Sequence, residues 1–288
     1  MTTKPQATAN CPEVAAAQDA QAPGVAMRQV LRHANGRCEQ ATDAIATEVP
    51  VAFAFNGQPF AVMMATPEDL EDFAIGFPLA EGLVASTDVL QVDAIDTHLE
   101  GVAIALRIPD DAARRIAGRR RAMEGRSGCG ICGSESIEAV LAPPPRVPEG
   151  RAITPEAITR ALQALQARQP LNARTGATHA AAFVSAGGDL ALVREDVGRH
   201  NALDKLVGAL HRAGMDPASG FALVTSRASY EMVMKAARAG FPLLAAISAP
   251  TALAVVLADH AGMTLVGFAR GGGHVVYAHP DRLAAPAT

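Results

Sequence analysis

Between residues 179 and 268 strand-like and helix-like segments alternate, separated by short punctuating loops, and this rhythm restricts the fold more than any other feature of the chain. A hairpin over 179–185 and 190–195, joined through Gly187-Gly188, precedes a helix at 199–213 and a strand at 221–225. A helix at 229–239, a strand at 242–247, a helix at 250–261 and a strand at 263–268 follow. Strands separated by helices return in the same direction through right-handed crossovers, so the segment predicts a mostly parallel or mixed sheet with helices on its faces. The fold class is α/β.

The first half has a different grammar. Apolar runs at 51–55 and 60–64 flank Asn56-Gly57, a hairpin signal because both turn residues tolerate positive φ. Thr66-Pro67-Glu68-Asp69 then predicts a helix start, with Thr66 as cap and Pro67 at the first helical position, and the helix should run to about Gly82. Strand-like segments at 90–97 and 102–108 complete a small α+β unit, followed by an arginine-rich stretch at 114–126. Residues 1–26 lack apolar periodicity and predict a disordered tail. The organisation expected is that tail, an N-terminal unit over 27–125, a mobile loop and linker over 126–150 marked by Pro143-Pro-Pro145, and a second domain over 151–288 opened by a helix at Thr154-Pro155-Glu156.

A formal charge of −4, with no aromatic clusters among basic residues, argues against a nucleic-acid binder, so phosphate recognition has to be local. The apolar runs stop well short of the roughly 20 residues that cross a bilayer. The N-terminus has no basic segment leading into an apolar core, which predicts a cytoplasmic protein with no membrane association. Four cysteines are too few for a disulfide scaffold.

In sheets of this kind ligands gather beyond the carboxyl ends of the strands, where helix N-termini expose unpaired N–H groups. The unusual residues concentrate there: Glu195-Asp-Val-Gly-Arg-His-Asn-Ala-Leu-Asp-Lys205, Ser226-Arg227-Ala-Ser229, Ser248-Ala-Pro-Thr251, and Phe268-Ala269-Arg270-Gly271-Gly272-Gly273. Together they favour one cleft for a polyanionic ligand, with Arg270 forked onto phosphate and the glycines admitting it to the backbone. Taken singly, Asp196, Ser226 and Ser248 are also natural helix caps, and Asp204 and Lys205 a solvated face. His200 suits phosphate binding or proton transfer as well as a local hydrogen bond, while His179 and His274 suit structural roles.

Cys129-Gly-Ile-Cys132 lies in a glycine-rich stretch and admits three readings. A structural zinc site needs a second ligand pair, which the chain lacks. A thioredoxin-like redox pair belongs at a helix start in a βαβ unit. The third reading is a mobile thiol carrying sulfur, its pKa depressed by Arg114, Arg115, Arg119, Arg120, Arg121 and Arg126, although such an arginine cluster also suits a solvated helix face.

These residues together resemble the formate dehydrogenase accessory protein family, FdhD. Three segments carry the resemblance: Gly128-Cys-Gly-Ile-Cys-Gly133, the run from Glu195 to Lys205, and Ala249-Pro-Thr-Ala-Leu-Ala254 leading into Thr264-Leu-Val-Gly-Phe268. Thr225-Ser226-Arg227 departs from the family's Ser-Gly-Arg while keeping the arginine. The resemblance implies a cytidine deaminase-like, three-layer C-terminal domain with a mixed sheet and without deaminase chemistry, and the chain indeed lacks H-x-E followed by P-C-x-x-C. It implies a sulfurtransferase that takes a persulfide from a cysteine desulfurase onto Cys129, with Cys132 assisting, and passes sulfur to the bis(molybdopterin guanine dinucleotide) form of the molybdenum cofactor for the formate dehydrogenase catalytic subunit. The cofactor is bound substrate, Phe268, Ala269, Arg270, Gly271, Gly272 and Gly273 its binding segment, and no structural metal is expected. A homodimer is likewise implied. Arg227 and His200 join the candidate site from the sheet-edge argument alone. A non-catalytic chaperone that only holds the cofactor is the competing reading.

Overall fold

The computed structural model describes residues 21, 22, 24–123 and 143–284. The tail expected over 1–26 falls largely outside the described residues, and Cys129, Cys132 and most of their loop lie outside them too. Strands β1 (Gln21–Ala22), β2 (Val25–Ala34) and β3 (Arg37–Ala46) form an antiparallel ribbon, with Val25 fully buried at its base. Strands β4 (Val49–Phe55) and β5 (Gln58–Ala65) make the expected hairpin, turning at Asn56 (φ 49) and Gly57 (φ 76). With β6 (Gln91–His98) and β7 (Gly101–Arg107) they build a four-stranded sheet in the order β5-β4-β7-β6, where β4 and β7 run parallel. Helix α1 (Leu70–Ala80) connects the two hairpins, and α2 (Asp110–Met123) follows β7.

Helix α1 starts at Leu70, later than Thr66-Pro67 predicts. Thr66 does not cap it. Its hydroxyl instead accepts from Val197 N–H at 3.1 Å, a contact that ties this turn to the other half of the molecule.

The second half opens with α3 (Pro155–Leu165), capped by the Thr154 hydroxyl accepting from Ala157 N–H at 3.1 Å. After α4 (Pro170–Thr175) come β8 (His179–Ser185), β9 (Leu190–Asp196), α5 (Arg199–Arg212), β10 (Gly220–Val224), α6 (Tyr230–Arg238), β11 (Leu243–Ala246), α7 (Ala252–Ala261), β12 (Thr264–Arg270) and β13 (Gly273–Ala278). The six-stranded sheet has the order β13-β12-β11-β10-β8-β9. Strands β10, β11 and β12 are parallel; β8, β9 and β13 pair antiparallel. This is the mixed α/β sheet that the alternation predicts.

One face of that sheet, with Phe221, Leu223, Leu243 and Val266, buries against Ile158, Ala161 and Leu165 of α3. The opposite face, with Phe183, Val224, Leu244 and Ala246, buries against Leu203 and Leu206 of α5, Met232 and Val233 of α6 and Leu257 of α7. The same core continues through Phe73 and Phe77 of α1 to Phe53, Ile104 and Leu106 of the four-stranded sheet. Phe53 meets Phe73 edge-on with centroids 5.1 Å apart. Helices α1 and α5 touch backbone to backbone: a β-carbon at Gly76 would overlap the Asp204 carbonyl, and one at Gly208 the Asp72 carbonyl.

Candidate functional site

The run from Glu195 to Lys205 begins at the end of β9 and enters α5, and most of it faces inward. Glu195 caps α4, accepting from Leu171 N–H at 2.9 Å, Asn172 N–H at 2.8 Å and the Thr178 hydroxyl at 2.9 Å. Asp196, fully buried, pairs with Lys205 Nζ at 2.6 Å and accepts from Thr66 N–H, Gly198 N–H and the Asn201 amide at 3.0, 2.7 and 3.0 Å. Lys205 Nζ also donates to the Thr66 carbonyl at 2.9 Å, and Asn201 to that of Met64 at 2.8 Å. Asp204 is not on a solvated face: it is fully buried against Lys235 Nζ at 2.7 and 2.9 Å, and Lys235 reaches Glu81 of the first half at 2.6 Å. Burial pushes the Asp204 carboxyl up to about 7. Lys235 is held above its ordinary value because Asp204 and Glu81 outweigh its own burial.

Two members of the run, Arg199 and His200, stay at the surface in the first turn of α5. His200 Nε2 lies 2.9 Å from Glu231 Oε2 in the first turn of α6, and Arg199 Nη2 lies 3.9 Å from the same oxygen. The His200 approach is close enough for an ion pair but lacks hydrogen-bond alignment; His200 Nε2, Arg199 Nε and Ser229 Oγ are shielded atoms without a hydrogen-bond partner. Gly198 and Ser229 begin α5 and α6 without a side-chain cap, so both N-termini keep uncapped N–H groups here. Burial, then the charges of Arg199 and His200, holds the His179 imidazole below its ordinary value. Burial alone would raise Glu231, yet His200, Arg199 and Lys235 hold it below the usual carboxylate range. Arg227, on the loop after β10, is exposed at the same sheet edge.

The segment from Phe268 to Gly273 takes a different form from an open strand-end loop. Phe268 has φ 53 and donates its N–H to the Ser248 carbonyl at 3.2 Å. Ala269 is buried on the α3 face. Arg270 pairs with Gly273 across a hairpin turned by Gly271 (φ 62) and Gly272 (φ 81), its guanidinium 5.5 Å from the Phe268 ring centroid. Between this hairpin and α3 lie two adjoining hollows of about 610 and 490 Å³, which share Thr159, Gln163 and Gly272; Arg270 lines the second. The residues expected to line one cleft therefore divide between two faces at one sheet edge: His200 lies on the α5–α6 face, the Phe268-to-Gly273 hairpin on the α3 face. Glu231, the acid facing Arg199 and His200, carries no motif of its own in the sequence; an acid two residues after the serine that opens α6 is its only trace.

The fold defines a class: a mixed-sheet α/β protein locked through α1 and α5 to a four-stranded sheet, with Arg199, His200 and Arg227 at its carboxyl edge. Residues 46–284 match the model of the FdhD/NarQ family, and the chain belongs to that family. It is 61% identical over 261 residues, 91% of this chain and 93% of the other, to the "Sulfur carrier protein FdhD" of Xanthomonas campestris pv. campestris strain B100. It is 54% identical over 275 residues, 94% of this chain and 95% of the other, to the protein of that name from Cupriavidus necator. The crystal structure of a Desulfotalea psychrophila protein, provisionally described as a formate dehydrogenase accessory protein, superposes with TM-score 0.73 at 24% identity, covering 91% of this chain and all of the other.

Proposed function

We propose that this chain is a sulfurtransferase that accepts a persulfide from a cysteine desulfurase on Cys129 and passes its sulfur to the bis(molybdopterin guanine dinucleotide) molybdenum cofactor of formate dehydrogenase. The observation that carries the reading is Cys129-Gly-Ile-Cys132 in a family whose curated relatives are named sulfur carriers. In the loading step the Cys129 thiolate attacks the outer sulfur of the donor persulfide: a new S–S bond forms on Cys129, and the donor cysteine leaves as thiolate with no net redox change. Cys132 assists the transfer that follows.

The bound cofactor is substrate, and the described residues offer chemistry suited to its nucleotide arms. Arg199, His200, Arg227 and two uncapped helix N-termini favour a diphosphate on the α5–α6 face. Arg270 and the backbone of Gly271 and Gly272 favour polar groups in the groove beside α3. A homodimer is part of the same reading, as is a cytoplasmic location.

The test is maturation in cells lacking this chain, complemented with Cys129→Ala. A sulfurtransferase predicts formate dehydrogenase that contains molybdenum and both nucleotides yet is inactive. Enzyme that is active with Cys129→Ala present, and lacks molybdenum only when the whole chain is missing, would favour a cofactor-holding chaperone.

A further inference from the structure

Among the described residues Glu231 is the carboxylate within ion-pair distance of Arg199 and His200 at this surface, and it leaves polar atoms beside it without partners. Its oxygen is 2.9 Å from His200 Nε2 and 3.9 Å from Arg199 Nη2. Even so, His200 Nε2, Arg199 Nε and the neighbouring Ser229 Oγ have no hydrogen-bond partner. Shielded polar atoms ordinarily find partners, and each that does not costs about 1–3 kcal/mol. The contrast with Asp196 and Asp204 is sharp, because those carboxylates engage their lysines with aligned donors throughout. From α5 Glu231 receives only the close approach of His200 and the longer one of Arg199, while burial opposes its charge and His200, Arg199 and Lys235 support it.

We propose that Glu231 is a built-in competitor for the anion: its carboxylate holds Arg199 and His200 until an anionic ligand takes its place and engages the orphaned donors. This rests on the reading of the α5–α6 face as an anion site, and it adds that the chain itself sets how tightly that site binds. An anion with several oxygens, such as a diphosphate, can meet side-chain donors and the uncapped N–H groups of both helix starts at once. Displacing a like charge from within a few ångströms opposes binding, so the competitor keeps ligand affinity below what the cations alone would give. An ordinary structural ion pair predicts the reverse, since cutting the tether of His200 would loosen the site.

The test is calorimetric titration of the full chain with guanosine diphosphate, comparing the natural protein with Glu231→Gln, and with Glu231→Ala should the glutamine variant fail to fold. Removing the competing charge should tighten binding about tenfold. Binding that is unchanged or weaker in the neutral variants, with the natural protein still saturable, would overturn the competitor and leave the anion site standing. No saturable binding by any of the proteins would overturn both.

Discussion

Asp196 accepts from four donors while buried, and Lys205 supplies the only charge among them. Removing that lysine strands a buried carboxylate, the circumstance in which breaking an ion pair is most damaging. Lys205→Met should therefore destabilise the fold by about 3–5 kcal/mol in urea unfolding, and adding Asp196→Asn should recover part of the loss, since the remaining donors no longer face a net charge. The second buried acid gives a signed pH prediction. Asp204 is raised from 3.8 to about 7, so between those values the folded protein holds a proton that the unfolded chain releases. Its contribution to stability is thus fullest below the unfolded value and falls as pH rises toward 7. Asp204→Asn should flatten that part of the stability–pH profile; an unchanged slope would show that Lys235 keeps Asp204 ionised throughout.

Helices α1 and α5 meet through Gly76 and Gly208, and neither glycine is there for its backbone freedom, as both lie inside helices. A β-carbon on Gly208 meets backbone that cannot rotate away, so Gly208→Ala should cost roughly 3 kcal/mol in urea unfolding. Gly271→Ala, in a turn with open space around it, should cost only about 1 kcal/mol through its positive φ. Equal effects would contradict the close crossing. The strands and helices from β8 to β12 were legible because apolar periodicity and punctuation agree there. The β2–β3 ribbon was not, since both strands are largely exposed and carry no apolar stripe. The three glycines after Arg270 read equally well as an anion loop or a hairpin turn, and only the pairing of β13 decides. The run from Glu195 to Lys205 was legible as unusual but not for its role, because Thr66, its partner, lies 130 positions from Asp196 in the chain.

At the scale of the whole molecule, buried charges join the halves alongside the shared apolar core and the α1–α5 crossing. Asp196 and Lys205 hold Thr66, Lys235 spans Asp204 and Glu81, and Asp72 holds Arg194 at 2.6 Å and Arg212 at 2.8 Å. The arrangement leaves the side chains of Arg199 and His200 at the carboxyl edge, so the same eleven residues both fasten the two sheets and present donors to the surface. No helix among the described residues is long and apolar enough to cross a membrane. The central claim concerns the thiol that delivers sulfur to this frame. Peptide mass spectrometry after incubation with a cysteine desulfurase and cysteine tests it most directly: one added sulfur should sit on Cys129 in the natural protein and in Cys132→Ala, because thiolate attack needs a single nucleophile, and none should be found in Cys129→Ala. Added sulfur on Cys132 of the Cys129→Ala variant would contradict the assignment of the carrier.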